Sequence, residues 1–139
     1  MFVRNWRNHC AAMLVALAAC AAPAHADELA EFHAAVQQAT LDYNRVVSIL
    51  ETRGQDETAA AVHHFRAAWQ TIGERFSAKR PAAFADDENF AATFVQIDMS
   101  LVGVLLVIDM GSRDGARAGL APIGETLARL SARSAPTTR

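Results

Sequence analysis

Imidazole and thioether side chains are the groups in this chain best suited to chemistry, and their spacing limits what that chemistry can be. His63 and His64 are adjacent. Neighbouring residues on a helix point about 100° apart, so the pair cannot close on one ion as histidines four residues apart do. Neither has a Glu or His three or four residues away, so the carboxylate–histidine spacing of di-iron bundles is missing. They read either as separate donors to a transition metal or as solvated side chains. Asp98-Met99 and Asp109-Met110 repeat one dipeptide eleven residues apart. On a helix the two copies share an azimuth but lie about 16 Å apart along the axis, too far for one metal. Met99 and Met110 either extend an apolar outer face or act as separate soft-metal donors. The candidate metal ligands are therefore His63, His64, Asp109 and Met110. His33 stands beside Phe32 at the edge of an apolar stripe.

Other chemistry finds little support. The chain has no GxSxG, HExxH or glycine-rich phosphate loop. Four apolar stripes leave no obvious polar cleft in which a nucleophile or acid–base pair could be held, so the chain reads as non-enzymatic. Glu51, Asp56, Glu57, Asp109 and Asp114 would gather at one end of a helical bundle, with Arg53 and Arg113 among them. That cluster is either a weak cation site or a set of loop charges paired with arginine and water. Acidic residues outnumber Lys and Arg, 15 to 13, and no basic run occurs, which argues against a nucleic-acid partner.

The beginning of the chain carries an address. Arg4 and Arg7 precede an apolar stretch from Ala11 to Cys20, and Ala24-His25-Ala26 offers a small-x-small cleavage site before Asp27. This is the order of a bacterial secretory signal peptide over residues 1–26, and it implies a periplasmic product. Leu17-Ala18-Ala19-Cys20 also resembles a lipobox, which would instead anchor the protein to the membrane through a lipid on Cys20. Cleavage after Ala26 removes both cysteines, Cys10 and Cys20, and with them any disulfide or thiolate site. Without Arg4 and Arg7 the 13 basic residues become 11 against 15 acidic, a charge near −4.

The elements that must position these groups are four amphipathic helices. Apolar residues recur at three- and four-residue steps from Leu29 to Leu50, Val62 to Phe76, Phe90 to Ile108 and Ala116 to Leu130. Asp56 is the expected N-cap of the second helix, and Asp86, Asp87 and Glu88 open the third. Gly54 and Gly111 mark short reversals, whereas Ser77–Glu88 is a longer connection through Pro81. Pro122 predicts a kink or a broken first half in helix 4. The spacing near 3.5 and the short links predict an all-α, up-down-up-down antiparallel four-helix bundle over residues 27–133. Residues 134–139 form a tail with no apolar period.

Helix 3 departs from simple amphipathicity. It is apolar nearly all round from Leu101 to Ile108, with Asp98 and Asp109 on the flanks, and no segment after the leader reads as a membrane span. Val102, Leu106 and Val107 lie off its core stripe, and Met99, Val102 and Leu106 are candidate contacts for a homodimer or a periplasmic protein partner. A neighbouring helix or loop covering that face is the alternative.

A leader followed by four helices of this length resembles the periplasmic cytochrome b562 and cytochrome c′ group. The likeness spans most of Asp27 to Arg133 and is carried by Phe90 through Gln96-Ile97-Asp98, by Gly111 and by an alanine-rich last helix. The resemblance implies a bundle fold and a haem, and it places His33 about where the b-type members carry their first ligand. The chain departs from that pattern in lacking the c-type attachment motif and any histidine, methionine or lysine in helix 4. A fainter likeness, to proteobacterial helical proteins with a Trp-centred second helix and a Leu-Ala-Pro-Ile run, implies no activity. The resulting expectation is an exported, non-enzymatic accessory or binding protein acting through a helical surface, with a haem or transition-metal protein as the alternative. Mass spectrometry of the protein recovered from its cell envelope is expected to show a chain beginning at Asp27. A lipid-modified chain beginning at Cys20 would place it on the membrane instead.

Overall fold

The computed structural model describes residues 21–137. Arg4, Arg7, the Ala11–Cys20 stretch and the lipid anchor expected at Cys20 lie outside the described residues. Four helices follow in order: α1 (Ala21–Thr52), α2 (Gln55–Phe76), α3 (Phe90–Asp109) and α4 (Arg113–Ser134), with a single 3-10 turn at Ala82–Phe84 between α2 and α3. Each packs on its sequence neighbours, and α1 closes the ring on α4. The up-down-up-down antiparallel bundle is thus the observed architecture. The cleavage site expected after Ala26 falls near the start of α1, where Ala24 to Asp27 are exposed.

Local chemistry sets the reversals. After α1 the chain turns at Gly54, the N-cap of α2, whose N–H donates to Glu57 Oε2 at 3.0 Å. The expected cap at Asp56 is corrected by this contact. Glu57 reaches back as the N3 residue of a capping box, so the helix starts earlier and Asp56 falls inside its first turn. The α3–α4 reversal uses Gly111 at φ 76°, a conformation that glycine adopts without steric cost. Gly111 N–H donates to the Ile108 carbonyl and Ser112 N–H to the Val107 carbonyl, both at 2.9 Å, which satisfies the open end of α3. Ser112 Oγ then accepts the Gly115 N–H at 3.1 Å and caps α4.

The longer connection is tied down rather than loose. Phe84 in the 3-10 turn is fully buried, and Pro81 is buried beside it in sequence. The Arg133 guanidinium lies 4.4 Å from the Phe84 ring centre and pairs with Asp87, holding the Asp87 carboxyl below the usual carboxylate range. Asp86, Asp87 and Glu88 precede α3 instead of forming its first turn. Asn89 is the N-cap, and its N–H donates to Asp87 Oδ1 at 3.1 Å.

Inside, aromatic rings set the spacing between helices. Phe32 of α1 meets Phe76, Phe84 and Phe90 with ring centres 5.1, 5.2 and 5.5 Å apart. Further along, Trp69 of α2 stacks on Phe94 of α3 at 5.1 Å, and its indole N–H donates to the Phe94 carbonyl at 3.1 Å. α4 is continuous through Pro122, so the broken first half expected there is corrected. Pro122 and Ala118 are both exposed, so the carbonyl one turn earlier, freed by the missing N–H, sits on the solvent side.

Phe32 has much to lose from truncation because α2, α3 and the connection converge on it. Phe32→Ala is expected to lower the unfolding free energy by about 3–5 kcal/mol, read from urea denaturation followed by circular dichroism.

Candidate functional site

The histidines and methionines singled out by their chemistry do not converge. His63 and His64 are exposed on α2. Gln55 Nε2 donates to the Asp109 carbonyl at 3.1 Å, which places Asp109 and Met110 beside the start of α2. His63 is eight residues further along, about 12 Å of helix away. Among the described residues no three His, Cys, Asp or Glu side chains are grouped to hold a metal. His33 is half-buried, with Nδ1 2.9 Å from the hydroxyl of Ser134. That hydroxyl is buried at the end of α4 and was invisible to a reading that ended the last helix at Arg133.

These residues do not fit a haem. The one imidazole near the implied position is engaged by Ser134, α4 offers no second imidazole or thioether, and Phe32, Phe76, Phe84 and Phe90 fill the space beside it.

The acidic bundle end is real but differently partnered from expectation. Arg117 bridges Glu51, with Nε and Nη2 each 2.9 Å from a carboxylate oxygen, and reaches Asp114 at 2.5 Å. The two carboxylates hold its guanidinium above the usual range. Glu57 is spent on the α2 cap, and Arg113 donates to the Arg53 carbonyl at 3.2 Å. Arg117 lies one turn into α4, facing α1, so the loop residues alone did not reveal it. A small cleft of 190 Å³ lies at this end, lined in part by Leu50, Thr58 and Ile108.

What does converge is an apolar surface. On the outer side of α3, Val95, Met99, Val102, Leu106 and Met110 are 64%, 64%, 40%, 62% and 73% exposed. They recur at steps of four, three, four and four, a single stripe along about 22 Å of helix. Met99, Val102 and Leu106 are the contacts expected from sequence. Val95 and Met110 extend them at either end. Neighbouring monomer surfaces seldom gather large aliphatic and thioether side chains this way without a ligand or partner.

The surroundings make this face rigid and hold charge to its edge. On its α2 side, Asp98 takes a two-point contact from Arg66, Nε to Oδ1 at 2.8 Å and Nη2 to Oδ2 at 3.0 Å, and Gln70 adds a third bond at 3.0 Å. Next to it a groove of 570 Å³ opens between α2 and α3, bordered by Gln70, Gly73, Val95 and Met99 over the Trp69–Phe94 stack. Gly103 lies on the outer side near the stripe's middle, with no atom within 4 Å of where a Cβ would stand. Such a glycine costs a helix about 1 kcal/mol relative to alanine.

Among the described residues, α3 is the one helix long and apolar enough to cross a bilayer by length and composition. Its mean hydropathy is 2.0, and 28% of the window is buried. The Leu101–Ile108 octet alone is too short to span a bilayer, whereas the full helix reaches this average even with Asp98 inside it. Its other face is committed to the bundle through Phe94, Ile97, Leu101, Val104 and Ile108.

Because none of the five stripe residues is buried, exchanging Met99 and Leu106 together for glutamine is expected to leave unfolding free energy within about 0.5 kcal/mol of the parent. Chemical denaturation checks this, and a larger loss would make the stripe part of the fold. No protein-family model, curated protein or solved structure matches this chain.

Proposed function

We propose that this protein is an exported, non-enzymatic accessory or binding module that works through the outer face of α3. The observation that supports this is the stripe Val95–Met99–Val102–Leu106–Met110, which is exposed and carries no charge. Water around such a surface favours its removal into any apolar contact.

The face is also ready-made. α3 is clamped between α2 and α4, so binding requires no backbone ordering, and only Met99, Leu106 and Met110 give up much rotamer freedom. The paired Arg66 and Asp98 form a polar rim at one edge, as the rim of a contact surface does. Leader and bundle together suit a small protein that is carried to the periplasm to hold or present another molecule.

Site-specific photo-crosslinking in living cells tests this reading. A photoreactive side chain at Met99, Val102 or Leu106 is expected to give a discrete adduct, whereas one at Gln38, exposed on α1, is not. Adducts no stronger from α3 than from Gln38 would overturn the proposal.

A further inference from the structure

We infer that the occupant of the α3 face is a second copy of this chain, docked antiparallel about a two-fold axis that passes between Val102 and Gly103. This rests on the reading of α3 as a binding face and names its partner. The first argument is the placement of the stripe. Val95 and Met110 lie equally far from the midpoint of Val102 and Gly103, and so do Met99 and Leu106. A two-fold contact must be complementary to itself. With the axis at that midpoint the two stripes overlap along their whole length. Met99 of one copy faces Leu106 of the other, Val95 faces Met110, and Val102 faces Gly103 across the axis.

Gly103 supplies the second argument. It stands beside the proposed axis with open space where a Cβ would be, so two helix backbones can approach closely there. Nothing within one copy uses that clearance.

Area and charge choose between occupants. The five side chains expose on the order of 500 Å² per copy, so a pair buries about 1,000 Å² from the stripe alone, against about 1,200–2,000 Å² in a stable interface. The flanking Leu105 and Val107, both half-exposed, add to it. A helix that lies on a lipid surface carries Lys and Arg beside its apolar face. α3 has neither; its charged residues are Asp98 and Asp109. Arg66, the arginine at the α2 edge, is already paired with Asp98 rather than open to an anionic bilayer, and self-complementarity favours a copy.

The test is light scattering behind size exclusion, over a concentration series, on protein exported and recovered with its own leader processed. The parent is expected at twice the monomer mass. Leu106→Lys sets a charge against Met99 of the other copy at two symmetric points. It is expected to weaken the dimer at least tenfold, with an unchanged helical spectrum. Val102→Cys is expected to give a covalent dimer on mild oxidation, because its two copies straddle the axis and lie only about 1.5 Å apart along the helix. Leu41→Cys, 62% exposed on α1, is not. A dimer that survives Leu106→Lys, or cross-linking that is equal from Leu41→Cys, overturns the assignment to α3. A parent that stays monomeric at about 100 μM overturns the second copy as occupant. Flotation with phosphatidylglycerol-containing vesicles, lost in Leu106→Lys, would then keep the α3 face as a binding surface with lipid as its ligand. A monomer that neither floats nor forms an α3-specific adduct in cells overturns both readings.

Discussion

The rotation of α3 about its own axis decides what this molecule presents to its surroundings, and Trp69 fixes that rotation. Its indole holds Phe94 twice, through the N–H bond to the carbonyl at 3.1 Å and through the ring stack at 5.1 Å. Hydrophobic burial alone would choose poorly here, because Leu101, Val102, Val104 and Leu106 offer comparable apolar surface on opposite sides of the same helix. A turn by one residue, about 100°, would still bury aliphatic side chains. It would also break the indole bond inside a dry core, where an unpaired N–H is costly. On the far side Gly119 completes the choice, since a Cβ there would lie 2.9 Å from Val104 Cγ2. The large ring on α2 and the missing side chain on α4 select one azimuth between them.

Ion pairs play a different part. Arg66–Asp98 joins α2 to α3, Arg75–Glu31 joins α2 to α1, Arg117–Glu51 joins α4 to α1, and Arg133–Asp87 ties α4 to the connection. Each is at least partly exposed, and pairs of this kind contribute at most about 1 kcal/mol. Their use lies in register: among the described residues the α1–α2, α2–α3 and α1–α4 seams each carry one of these charge pairs and the α3–α4 seam carries none. That seam instead relies on close approach at Gly115 and Gly119. The outer side of α3 is consequently free of bridging arginines along its centre, and Arg66 is drawn to its α2 edge.

Much of this was legible in the sequence because helical periodicity is a statement about burial. Val36, Phe65, Trp69, Leu101 and Leu127 fell on their predicted stripes and are buried. Periodicity says nothing about connections, so Phe84, fully buried and in contact with Phe32, went unnoticed there. Likewise, Asp56 has the right chemistry for a cap, but capping depends on where the backbone leaves the helical region. Glu57 reaching back to Gly54 decided that. The candidate site divides the same way. Met99, Val102 and Leu106 were found as residues left over from the core stripe. Val95 follows Phe94, and a core-centred reading absorbed it. The histidines drew attention by type alone, and type says nothing about distance across a bundle.

The composition of the outer stripe is not explained by folding of a single copy. Methionine and leucine are good helix formers, but so are glutamate, lysine, glutamine and arginine, which would occupy an exposed face with better solubility. Valine at 95 and 102 and glycine at 103 are poorer than any of these, so three positions on one exposed face weaken the helix that carries them. Within one copy nothing offsets that loss: the valines are exposed and the glycine has empty space beside it. Short branched side chains flanking a bare backbone become favourable when another helix lies against them, because the axes can then approach and the aliphatic stems interlock. The same residues that are a poor choice for an isolated α3 are a good choice for two of them in contact.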